Sequence, residues 1–330
     1  MNWKQDYQIS CVGRDQWEHR GYRQQRIALP LALACIGLLV CECVITAGVS
    51  QSASGSSDSN IGAPGAVASK DARAVVNTDG KLGLRERFAA LQRMHGRKLD
   101  EEEVATLREY LLMAASVDGS ENALRDVMLV RLEQECSGEE MMNLLETIHG
   151  DQSQQHLMRD YAIQHVSWAY AKSGKDGRAR AVKLLRQALK ETDTQIAGTA
   201  LLAMQRIVLK TTPELQEAGA VTDEIERSKV EEVALHLAKD VKASAMTRIS
   251  AIQVCANLGL ASALPVAVDL AQNDSSIPLR IAAIAAIGDL GGVEQQALLL
   301  RLATGEERRL KTAAESALKR LQKTSARGQR

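Results

Sequence analysis

The chain has 330 residues, and 41 Lys and Arg stand against 41 Asp and Glu, so the formal net charge is zero. That balance leaves no global field to steer nucleic acid or acidic ligands, and no nucleic-acid partner is expected. Aromatic residues make up 3%, with Phe88 as the one phenylalanine, so Leu, Ala, Ile and Val must build the core, which suits closely packed helices.

Residues 1–26 form a basic tail with Lys4, Arg14, Arg20, Arg23 and Arg26. Trp3, Tyr7, Trp17 and Tyr22 lie among them, a mixture that suits anchoring at a membrane interface. Residues 27–49 then run for 23 positions with Glu42 as the one charge. At about 1.5 Å per residue such a helix crosses a hydrocarbon core about 30 Å thick. An uncleaved signal anchor is the favoured reading and a cleaved signal peptide the alternative. The small residues Ala47, Gly48, Ser50, Ser52 and Ala53 offer cleavage sites, but the preceding tail is long for a signal peptide. No Lys or Arg follows the span until Lys70, so both readings keep the N-terminus in the cytoplasm and send the rest across. A cleaved form would be secreted or periplasmic.

Residues 50–80 are dominated by Ser, Gly, Ala, Asp and Asn. Such a stretch buries too little surface to offset its ordering entropy and reads as a flexible linker spanning roughly 30 Å. Residues 81–330 read as helix at a 3.6-residue period. Leu84 to Met94 and the amphipathic stretch 99–116, which begins with an acidic turn, form an N-terminal cap.

One frame then recurs. The segment LRIAAIAAIGDLG at 279–291 returns 32 residues earlier as TRISAIQVCANLG at 247–259, with Arg248 matching Arg280 and Ile252 matching Ile284. It returns 31 residues later from Leu310, with Ala314, Leu318 and Leu321 inward and Glu315 in place of an isoleucine. Segments from Ile196, Met158 and Leu124 fit upstream, and Arg159 and Arg125 carry the same arginine. A turn and a second helix follow each, as at 179–189, 263–270 and 293–302. One such pair cannot bury its apolar face alone, and stacked neighbours do it for one another. The spacing is broken at 210–219 by a Pro-containing insertion, and insertions in such arrays often sit on the working face.

The frame LR-x-x-AI-x-A-[IL]-G-x-LG resembles the first-helix signature of bacterial HEAT-like repeats, most closely over residues 243–321. The resemblance implies an all-α fold, a right-handed α-solenoid of helix pairs, and a role in protein binding. It brings no shared catalytic residues.

No motif carries chemistry, and no catalytic residue, cofactor site or metal site is assigned. Ser173 to Gly177 lacks the first glycine of a phosphate loop. His149, His156 and His165 lie near Asp151 but without ligand spacing, and read as surface histidines. Glu101, Glu102 and Glu103 read as a solvated run. Cys136 and Cys255, far apart, read as buried free thiols. Asn273 to Ser275 is a formal glycosylation triplet. Trp168 and Tyr170 are assigned to the core rather than to an exposed hot spot. The sequence therefore points to a membrane-anchored, extracytoplasmic scaffold that binds an unidentified protein on the solenoid surface. Arg186, Lys190, Asp269, Gln272 and Arg301, on second helices taken as the concave face, are the candidate contacts. The alternative is an enzyme or a carrier of a small ligand or metal, with its site at the 211–229 insertion or around His149 to His165.

Overall fold

The computed structural model describes residues 64–77, 79–113, 119–192, 194–218 and 225–328. The basic tail and the apolar segment 27–49 lie outside the described residues. Among those that are described, no strand is present and no helix is long and apolar enough to cross a membrane.

The helices are, in chain order, α1 Pro64–Val75, α2 Leu84–Arg93, α3 Glu101–Leu112, α4 Gly119–Glu133, α5 Gly138–Gly150, α6 His156–Lys172, α7 Lys175–Ala188 and α8 Ile196–Leu209. After the short α9 Pro213–Glu217 come α10 Arg227–Lys239, α11 Ala245–Asn257, α12 Leu264–Asn273, α13 Ile277–Leu290, α14 Gln296–Ala303 and α15 Arg308–Gly328. A 3-10 turn leads into each of α12 and α14.

The pairs stack in two layers. First helices α2, α4, α6, α8, α11, α13 and α15 each pack on the next, so this layer runs unbroken through the stack. Every segment that the repeat frame picks out falls on a first helix. Second helices α5, α7, α10, α12 and α14 lean mainly on first helices, and α3, α5 and α7 also pack in series. Small residues set the spacing within the first layer. A Cβ placed on Gly198 of α8 would lie 2.8 Å from Ser250 Oγ and 3.1 Å from Thr247 Cα of α11. One on Gly288 of α13 would lie 2.8 Å from Ala317 Cα of α15.

The recurring arginine now has a physical role. The last carbonyls of a helix lack intrahelical donors. Arg87, Arg159 and Arg280 donate Nε to Val75 O, His149 O and Ala271 O at 2.7, 2.8 and 2.9 Å, each at the end of the preceding second helix or, for Val75, of α1. Arg125 reaches Met113 O through Nη1 at 2.7 Å. Two of these arginines, and Arg248 at the same frame position, reach forward to a carboxylate: Arg87 to Glu121, Arg159 to Glu191 and Arg248 to Asp274, at 3.0, 2.6 and 3.0 Å. One side chain thus braces consecutive repeats. The α8 repeat has Ala197 at this position, and there Thr247 and Ser244 hydroxyls donate to Thr194 O instead.

The structure corrects two readings in this region. Residues 64–75, inside the stretch taken as linker, are helical, and Ala72 and Val75 are buried against the cap. Composition missed this because α1 docks on apolar surface supplied by α2 and α3. Its C-terminal half is tied by ion pairs from Arg93 to Asp71 and from Arg73 to Glu102. In the acidic run, Glu101 and Glu102 are exposed but Glu103 is fully buried. Glu103 completes a capping box with Asp100 and pairs through both oxygens with Arg97, at 2.6 and 2.7 Å.

Candidate functional site

The second-helix residues singled out by sequence are all exposed, but they do not form one cluster. Arg186 lies on α7 and Lys190 just beyond it; Asp269 and Gln272 lie on α12, and Arg301 on α14. Asp269 accepts a hydrogen bond from Asn273, at 2.7 Å, which occupies part of its carboxylate.

Arg186 does border a concavity. The insertion after α8 starts with Lys210 in the left-handed region, at φ 48°, and turns into α9, which packs back on α6. The longer connection sets α10 mainly against α8 and α11 rather than α7. An apolar cleft of about 390 Å³ results, floored by Leu189, Met204, Ile225, Val230 and Val233. Arg186, Lys229, Glu232 and His236 form its rim.

The other face of the stack is more extensive. Aligning first helices α4, α6, α8, α11 and α13 on the repeat frame gives three outward levels. The first holds Val127, Tyr161, Thr199, Ser250 and Ala282; the second Val130, Gln164, Leu202, Gln253 and Ala285; the third Gln134, Trp168, Arg206, Asn257 and Asp289. All fifteen are exposed or half-exposed, and only Arg206 and Asp289 are charged. In a chain with a quarter of its residues charged, that is a depleted face. Tyr, Trp and Arg with few other charges is the composition of protein–protein contact surfaces. Sequence reasoning missed this face because it counted the inward positions of the frame; its outward positions, read down the repeats, carry the signal.

Arg206 is exposed on the third level of this face. Burial pushes its guanidinium pKa down, while the charge of Glu133 on α4, two first helices away, acts in the opposite sense. At the edge of the same face, His165 of α6 is buried between Glu133, with Oε1 2.7 Å from Nδ1, and Asp126, with Oδ1 3.2 Å from Nε2. Burial works against its charge, but the hydrogen bonds to Asp126 and Glu133 outweigh it and carry the pKa to about 9.

The structure also revises the histidine, aromatic and thiol readings. His156 is exposed, whereas His149 and His165 are buried. His149 faces Glu191 at 3.3 Å and burial pushes its pKa down. The carboxylates of His165 sit on opposite ring nitrogens and do not converge. Tyr170 is in the core with Arg178 over its ring, but Trp168 is half-exposed, because the frame turns it outward. Cys255 is buried, with its thiol pKa pushed up to about 12 by that burial, and Cys136 is half-buried.

Comparison with known proteins agrees with this architecture. A family model described as HEAT repeats matches residues 231–319. This segment, from α10 to α15, is built of HEAT-like repeats, and with the helical stack upstream it makes a helical scaffold. No curated protein is similar enough to match. Among solved structures, human deoxyhypusine hydroxylase in complex with glycerol aligns with a TM-score of 0.34 and 18% identity, over 78% of this chain and 98% of that one.

Proposed function

We propose that the chain is a protein-binding scaffold without catalytic activity, tethered through residues 27–49 with its helical domain outside the cytoplasm. The stack is read as a right-handed solenoid whose first helices face inward. Small-residue seams at Gly198 and Gly288 support that direction of curvature, since a stack drawn close along one layer bends toward it. The observation that carries the proposal is the charge-depleted, aromatic-bearing face across α4, α6, α8, α11 and α13. It moves the expected contact from the second helices to the first.

The test places a photo-crosslinking amino acid at Gln164 on the first-helix face, or at Gln272 on a second helix, in the full-length protein in its own membranes. Discrete crosslinked species from Gln164, absent from Gln272 and lost when Leu202→Arg is added, are expected. Adducts from Gln272 alone, or recovery of the protein outside the membrane fraction, would sink the corresponding part of the reading.

A further inference from the structure

The first-helix face holds one cation that the fold leaves without a direct counter-charge. Arg206 makes no hydrogen bond or ion pair with the described residues, although many other arginines of the stack do. On the face it shares a level with Trp168 and Asn257. Glu133, the anion acting on it, is already hydrogen-bonded to His165. A guanidinium whose donor fork is unoccupied gains from a carboxylate that meets it with both oxygens, and gains more where an apolar segment covers the pair. A polyanion fits poorly, because Arg206 is the one cation among the fifteen positions of the face, so its further charges would meet no partner there.

We propose that Arg206 is the carboxylate-recognition point of this face. Its partner is a polypeptide segment, uncharged and partly apolar along its length, that brings a single carboxylate to the guanidinium. The carboxylate comes from an Asp or Glu side chain or from the segment's own C-terminus. The apolar part lies along Val130, Trp168 and Leu202. This inference rests on the binding role proposed above and adds the chemistry of the bound segment.

Peptides selected by display against the full-length protein are the probe. Their affinities are measured for wild type, Arg206→Gln, Leu202→Arg and, as a control on the other face, Arg186→Gln. Arg206 is exposed and its replacement leaves the core intact. Selected peptides should share one acidic group. Arg206→Gln should weaken them about 10- to 100-fold, the range for a charge-assisted pair, and Arg186→Gln should leave them unchanged. Converting the peptide's acidic side chain to its amide should weaken binding to wild type by the same factor and have no effect on Arg206→Gln. If amidating the C-terminus produces that loss instead, the chain end is the source of the carboxylate. Binding lost in Leu202→Arg but indifferent to Arg206→Gln would overturn the role of Arg206 and leave the face standing. Indifference to both would remove the face as well. Preferential capture of an oligonucleotide at Arg206 would overturn the polypeptide assignment.

Discussion

His165 joins α4 to α6 by holding Glu133 and Asp126 on its two ring nitrogens. Because its pKa is raised to about 9 in the fold, the histidine stabilises the native state fully below its unfolded value, about 6.5, and loses that contribution as pH rises through about 9. We predict that stability falls over this window by up to about 3 kcal/mol, at about 1.4 kcal/mol per pKa unit. In His165→Gln the same window should be flat. Urea unfolding at pH 6 and pH 9.5 measures it, and an unchanged slope in the variant would refute the assignment. Sequence alone placed His165 on the surface because a histidine is polar and common there. Its burial depends on Asp126 and Glu133 from a neighbouring repeat, at separations of 39 and 32 residues, which no local pattern reports.

Among the elements, seams between first helices matter more than helix propensity. Gly288→Val must push against Ala317 backbone at 2.8 Å, so a loss of about 1–3 kcal/mol is expected. Gly150→Ala meets nothing within 4 Å and should be neutral or stabilise by up to about 1 kcal/mol. Thermal unfolding of the two variants separates these cases, and equal effects would mean that the α13–α15 seam is loose. The helices themselves were legible because Leu, Ile and Ala recur at the helical period and Arg, Leu and Gly mark the repeat ends. The insertion was legible as a break at Pro213, but not as a short helix returning to α6. Helix α1 was hidden for the converse reason: Ala72 and Val75 form too small a stripe to announce a helix, and it is the cap that completes their burial.

At the scale of the molecule, the repeat count and its two-layer stacking follow from the frame, while the choice of working face does not. Both layers expose polar residues, and only the alignment of outward positions down successive first helices separates a neutral face from the more charged second-helix surface. Arg186, Lys190, Asp269, Gln272 and Arg301 were chosen for being charged or polar and exposed, a property shared by most solvated surface. A contact face is better marked by where charge is missing.

The seam at Gly288 also makes the chain a ruler. Inserting a second copy of residues 277–307 would place Ala286 of the copy where Ala317 now meets Gly288, since the two positions are 31 residues apart. The small-on-small contact survives, while Asp289 of the copy replaces Arg320, which now pairs with Asp289 at 2.8 Å. An array lengthened by one unit, with Asp289→Arg in the first of the two copies so that it pairs with Asp289 of the second, which keeps Arg320, should fold and extend its face by one rung. Small-angle scattering would register the added length, and a collapsed or aggregated product would show that the unit is not interchangeable. If length can be set in this way, the reach of the molecule is an inheritable dimension, adjusted by duplication rather than by redesign of any single contact.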